Sequence, residues 1–289
     1  MKFIISLVFC CTVFSALAQR NDPKLQAQVE AICKGFHGVV GVHVLHLPTG
    51  RTVSVNADTV FPTASMVKIP ILIGIMDKMK RGSLDYHMNL MYRDSLLYPG
   101  EDILGAFKDS AKVSLSKVIM LMLTTSDNTA SLWLQSLAGG GTRINAILDS
   151  IGFSNTRVNS RTPGREENRK KYGWGQTTPR EMVELMKLIY QRKMINQQSS
   201  DQMIRLLGRN YWDEQAISEI PPHIFVASKN GAVDASRSET LLVMAPSSPY
   251  IFSIITKEQQ DTSWGNDNEG WVLAKKLSAL LWTYYARKS

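Results

Sequence analysis

A serine and a lysine three residues apart open an apolar stretch at Ser65-Met66-Val67-Lys68-Ile69-Pro70. On a helix, positions i and i+3 share a face, so the Ser65 hydroxyl and the Lys68 amine can meet. A first-turn serine also lies beside backbone N–H groups without intrahelical acceptors, at the positive end of the helix dipole. A lysine held partly out of water gives up its proton more readily and can act as base for a weak nucleophile. The S-x-x-K spacing alone fits a capping serine beside a surface lysine equally well. Two further groups follow in chain order. Ser126-Asp127-Asn128 stands in a loop between two central helices, and Lys229-Asn230-Gly231 ends a predicted strand, with Arg237 eight residues after Lys229. Singly, these read as a helix cap and a turn. Their order, each at an element boundary, is not chance.

The elements that must carry these groups are legible in outline. Residues 24–36 keep a helical period through Leu25, Val29, Ile32 and Phe36. Val39 to Leu47 and Thr52 to Val55, around Pro48-Thr49-Gly50, predict a hairpin. Ser65 to Met79 predicts an apolar helix, with Pro70 near its first turn. Residues 82–112 read as mostly loop with short helical pieces, and Leu115 to Leu123 as a buried helix. Asp127 starts a helix that runs through Leu137 to Gly139-Gly140-Gly141, and Arg143 to Ile151 is another. Residues 154–178 are polar and read as a long functional loop. Helices follow from Pro179 and over Ser199 to Leu207. Ile224 to Ala227, Thr240 to Val243 and Tyr250 to Thr256 suit an antiparallel meander, closed by a helix over Trp271 to Tyr285. The expected fold class is α+β. Both chain ends build an α/β sandwich lobe with an antiparallel sheet (about 24–64 and 215–289), and a helical lobe (about 65–214) is inserted.

Composition narrows the function. Met1-Lys2-Phe3, an apolar run and Ala16-Leu17-Ala18 predict a signal peptide over residues 1–18, leaving residues 19–289 secreted or periplasmic. No later run is long and apolar enough to span a membrane. Only Cys33 remains after cleavage, so no intramolecular disulfide forms and a core must supply stability. The net charge of +8 is dispersed. Its densest cluster, Arg169-Lys170-Lys171, lacks the interleaved aromatics of nucleic-acid binders and reads as a solvated loop, or at most a weak attraction for anionic substrates. The histidines show no ligand spacing, so no metal or other cofactor is expected.

The three motifs together resemble the class A serine β-lactamase and penicillin-binding-protein superfamily, whose signature is S-x-x-K, S-D-N and K-T/S-G. Phe61-Pro62 before the first motif and Thr177-Thr178-Pro179 closing the long loop extend the likeness over about 40–285. The resemblance implies a monomeric serine hydrolase with a β-lactam or related amide as its small-molecule partner. Ser65 would carry the acyl group, Lys68 act as or relay to the base, and Ser126 pass the proton to the leaving amine. The backbone N–H groups of Ser65 and Ala232 would form the oxyanion hole. Asn128 would hold the substrate's amide side chain, and Lys229 with Arg237 would attract its carboxylate.

Two departures qualify this expectation. Asn230 replaces the family's hydroxyl residue, and Arg237 arrives one residue early. The position of the family's deacylating glutamate falls on Thr162, with Glu166 and Glu167 following four and five residues later. The alternatives are therefore a penicillin-binding-protein-like or other amide or ester hydrolase that releases its acyl group slowly, and a non-catalytic binding protein on the same fold.

Overall fold

The computed structural model describes residues 20–100 and 102–286, and the expected leader lies outside them. β1 (Arg20–Asn21) precedes α1 (Pro23–Cys33). Pro23 takes the first helical turn, where its missing N–H costs nothing, and the Asp22 carboxylate accepts from the Leu25 N–H. The expected hairpin is β2 (Val39–His46) with β3 (Arg51–Val55). β4 (Phe61–Pro62) leads into a 3-10 turn at Ala64–Val67, and only then does α2 (Lys68–Lys80) begin. Residues 82–112 are mostly irregular, as expected, but end by pairing β5 (Asn89–Met91) with β6 (Lys112–Ser114).

α3 (Leu115–Met120) runs into a wider π turn at Leu121–Thr125, α4 covers Asn128–Leu137, and α5 covers Gly140–Ser150. The glycines thus divide two helices, and Gly140 opens the second. The long polar segment is not structureless. It holds β7 (Arg157–Val158), α6 (Glu166–Tyr172) and β8 (Gly175–Thr177), and β8 pairs with both β4 and β7. α7 (Pro179–Tyr190) and α8 (Gln197–Leu207) follow. β9 (Val226–Val233), β10 (Ser236–Val243), β11 (Tyr250–Lys257) and α9 (Glu269–Ala286) complete the chain.

The main sheet runs β1-β3-β2-β11-β10-β9. β2 pairs antiparallel with β11 from Val39↔Lys257 to His46↔Tyr250, which joins the two ends of the chain. Side chains alternate across the sheet. Ile251 and Ile255 enter the core shared with α2, α4 and α7, while Tyr250, Phe252 and Ile254 pack under α1 and α9. A sheet covered on both faces reads as near-continuous apolar runs, which is why these strands were legible. Each fully buried Leu, Ile or Phe contributes about 1.5–3 kcal/mol. β9 is the sheet's outer strand, and its open edge meets the 3-10 turn that carries Ser65. Among the described residues no helix is long and apolar enough to cross a membrane.

Candidate active site

The 3-10 turn sets the first pair. With three residues per turn, side chains at i and i+3 eclipse more closely than on an α-helix. Lys68 Nζ lies 3.0 Å from Ser65 Oγ. Lys68 is fully buried, because it opens α2, whose residues are buried without a break from Lys68 to Asp77. Its amine also lies 2.9 Å from Ser126 Oγ and 2.9 Å from Asn128 Oδ1, and it donates to the Ser126 carbonyl. Four oxygens thus surround one nitrogen. An ammonium has three protons to donate, whereas a neutral amine has two and a lone pair that accepts from a hydroxyl. Burial, and then the positive charge of Lys229, push the Lys68 amine well below the ordinary lysine range, against the pull of Asp102 and Asp127. The neutral form can take the Ser65 proton.

Ser126 ends the π turn in the left-handed region, at φ 63° and ψ 30°. A non-glycine residue there is strained by about 1–3 kcal/mol. The conformation turns both Ser126 oxygens onto Lys68. It is held from behind, where Tyr211 N–H donates to Thr124 O and Trp212 Nε1 to Thr125 O. Asp127 caps α4 by accepting from Ala130 N–H, and its second oxygen accepts from Leu104 N–H. Asp102, absent from the expected site residues, accepts from the backbone N–H groups of Asn128 and Thr129. Two carboxylates therefore hold the start of α4, and with it Asn128, against Lys68.

The third motif lies inside β9 rather than in a turn. Gly231 packs directly behind Ser65: a Cβ there would fall 2.6 Å from Ser65 N. Met244 N–H bonds to Phe225 O just beyond the strands, and counting along the antiparallel register makes Ala232↔Arg237 a pair without mutual hydrogen bonds. The Ala232 N–H consequently points out of the open edge. Ser65 N–H belongs to the first turn, where no intrahelical acceptor exists. Lys229 is fully buried and donates to Asn230 O at 2.9 Å and Asn230 Oδ1 at 3.2 Å. Burial lowers its amine to about 7, opposed by Glu239. Burial also raises the Glu239 carboxyl to about 8, against the Ala216 N–H and Lys229.

Arg237 is not brought to the cavity. It shares the sheet face of Ala232 and Glu239, toward α9, and its guanidinium lies over Trp264 (4.9 Å) and Trp271 (6.0 Å). It donates to the carbonyls of Asp234, Ser236 and Ser263. With β9 and β10 separated by only Asp234-Ala235, the side chain is drawn under the turn instead of over the edge.

The long segment also places its residues unambiguously. Thr162 is buried against α5, where a Cβ on Gly141 would collide with its hydroxyl, and it donates to Ser160 O. Glu166 and Glu167 open α6 on the exposed side, Glu166 accepting from Gly164 N–H and Glu167 pairing with Lys170. The inner side is tied by Arg165, which donates to Asn159 Oδ1 (3.0 Å) and Gln176 Oε1 (2.7 Å), and by Asn168, which donates to Gln176 Oε1 (3.0 Å). A cavity of about 550 Å³ opens over Ser65, Asn128 and Ala232, walled by residues 169–174 and by Tyr98, whose ring stands edge-on to Trp174 at 5.0 Å. Neither glutamate lines it. Among the described residues no cluster fit to hold a metal ion is present.

A serine, a buried lysine and a second serine gathered beside an open strand edge have the composition and spacing of a serine–lysine acyl-transfer site. A family model described as the β-lactamase enzyme family matches residues 24–285, and the chain belongs to that family. The β-lactamase VEB-1 of Pseudomonas aeruginosa is 21% identical over 299 residues, covering 99% of this chain and 97% of that protein. The β-lactamase AER-1 of Aeromonas hydrophila is 25% identical over 249 residues, covering 84% and 82%. Among solved structures, PBP-A superposes with a TM-score of 0.81 at 24% identity, covering 92% of this chain and 97% of PBP-A. A point mutant of PBP-A, known as its acyl-enzyme complex with penicillin-G, superposes equally well. The α+β fold is that of these neighbours.

Proposed function

We propose that this protein hydrolyses β-lactam amides through an acyl-enzyme on Ser65, with release of the acyl group as the slow step. The carrying observation is the buried Lys68 amine set 3.0 Å from Ser65 Oγ and 2.9 Å from Ser126 Oγ. Lys68 takes the Ser65 proton as Oγ bonds to the lactam carbonyl carbon. The oxyanion that forms is met by the Ser65 and Ala232 N–H groups, an arrangement in which one donor is typically worth about 3 kcal/mol. The carbon–nitrogen bond then breaks, and the proton passes from Lys68 through Ser126 Oγ to the leaving nitrogen. Asn128 has its oxygen turned to Lys68, which leaves its NH2 for the substrate's amide carbonyl. Lys229 supplies positive potential for a carboxylate on the leaving-group side. Arg237 is committed elsewhere and takes no part.

In the second half-reaction water adds to the acyl carbon and Ser65 Oγ leaves. Neither Glu166 nor Glu167 of the long segment lines the cavity over Ser65, and Lys68 is the base for this step as well. The expected export of the protein suits a substrate met outside the cytoplasm. The test is intact mass against time after mixing with penicillin-G. Wild type should gain the mass of one penicillin and lose it over minutes, while Ser65→Ala gains nothing. Absence of any adduct in wild type, together with no turnover of a chromogenic cephalosporin, would refute the proposal.

A further inference from the structure

The basic run Arg169-Lys170-Lys171, read from sequence as a solvated loop or at most a weak attraction for anionic substrates, forms one wall of the cavity over Ser65. It occupies the last turn of α6, and Gly173, at φ 69°, turns the chain back so that Trp174 closes onto Tyr98. Complementing the helix dipole explains cations at a C-terminus. It does not explain why that end, and not the acidic end, is turned to the nucleophile. Lys257 faces the run from the sheet wall, held over the Phe61 ring at 5.2 Å and donating to Val60 O at 3.3 Å. Among the described residues the cavity's carboxylates are Asp234 and Glu258, both exposed, so four cations face two acids there. Lys170 is answered by Glu167 and Lys257 lies 4.0 Å from Glu258. Among the described residues Arg169 makes no side-chain hydrogen bond or ion pair, and Lys171 Nζ lies over the Tyr172 ring at 5.2 Å.

Position in the cavity assigns the charge to one half of the substrate. The cavity is lined by Ser65, Asn128 and Ala232 but by neither Ser126 nor Lys229. A carbonyl over Ser65 with its oxygen toward the Ala232 N–H sends its leaving nitrogen toward Ser126. Its acyl substituent then runs past Asn128 along residues 169–174. Resting on the acyl-enzyme reading above, we infer that this enzyme selects substrates whose acyl side chain carries a second anionic group, a carboxylate held by Arg169 and Lys171. This anion is separate from any carboxylate on the leaving-group side.

Benzylpenicillin and its α-carboxy derivative differ by that one carboxylate. In wild type kcat/KM for acylation should favour the α-carboxy compound by roughly 2- to 20-fold, the range expected of two exposed ion pairs. The ratio should fall toward one as salt rises above 0.15 M, where charges about 8 Å apart are screened. Arg169→Gln/Lys171→Gln should bring the ratio to about one. Arg169→Glu/Lys171→Glu should invert it, and Lys171→Arg should keep it. Lys112→Gln, which removes a charge outside the cavity, should leave the ratio as in wild type. A wild-type ratio at or below one, or a ratio that survives the glutamine pair, overturns the inference while leaving the acyl-enzyme reading standing. If neither penicillin forms a Ser65 adduct by intact mass, the acyl-enzyme reading fails instead. Calorimetric binding of phenylmalonate against phenylacetate then decides the anion site alone: equal affinity overturns it, and a preference lost in Arg169→Gln/Lys171→Gln supports it.

Discussion

Deacylation gives the sharpest test of the site. Suppose Glu166 or Glu167 were the base that activates the deacylating water. Either would have to leave the exposed side of α6 and reach the cavity over Ser65. That movement breaks the three bonds by which Arg165 and Asn168 hold Asn159 and Gln176. At about 1 kcal/mol each, with the exposed Glu167–Lys170 pair adding a few tenths, the rearrangement costs about 3–4 kcal/mol. The rearranged state would then be populated at about 10⁻² to 10⁻³, which cancels a general-base gain of about 10³, the middle of the usual 10²- to 10⁴-fold range. Glu166→Gln, Glu167→Gln and the double variant should therefore deacylate within about threefold of wild type. The assay is decay of the penicillin adduct by intact mass after rapid removal of free penicillin. A fall of about 50-fold or more in either single variant would show a glutamate in reach and refute the reasoning.

Four further outcomes are expected. Ser126→Ala should slow acylation about 100-fold by cutting the proton path to the leaving nitrogen, read by stopped-flow with a chromogenic cephalosporin, with adducts still forming on Ser65. KM for a carboxylated substrate should rise as pH passes above about 7 and Lys229 loses its proton; Lys229→Arg, which stays charged, should remove that rise. Gly231→Ala drives a methyl group to 2.6 Å from Ser65 N, so it should cost about 1–3 kcal/mol in thermal unfolding and slow acylation as well. Glu239 has its folded value raised to about 8 from the usual 4.5, so the folded state holds the extra proton between those limits. Stability should accordingly fall as pH rises through that window, and Glu239→Gln should flatten the slope in thermal melts taken from pH 5 to 8.

What the sequence determined by itself was local. The serine–lysine pair is three residues apart, so any helical turn brings Ser65 and Lys68 together, and the 3-10 turn only tightens the contact. Asp127 and Thr178 cap α4 and α7 through their own neighbours, and strands buried on both faces show as apolar runs. The tertiary structure alone decided what depended on chain segments far apart. Asp102 lies in an aperiodic stretch, and only its approach to the start of α4 makes it a support of Asn128. Arg237 stands at a position that resembles a substrate-binding arginine, yet strand alternation and a two-residue turn place it under Trp264 and Trp271. Glu239 sits in an ordinary-looking strand, and its burial, with the Ala216 N–H as its donor and Lys229 on the opposite face of the sheet, appears only in the folded chain. Arg169 and Lys171 read as solvated charge, or at most a weak attraction for anions, because nothing near them in sequence says which end of a short helix will face Ser65. Spacing along the chain specifies which groups meet within one turn. Which distant groups surround them, and how dry they become, is settled by packing.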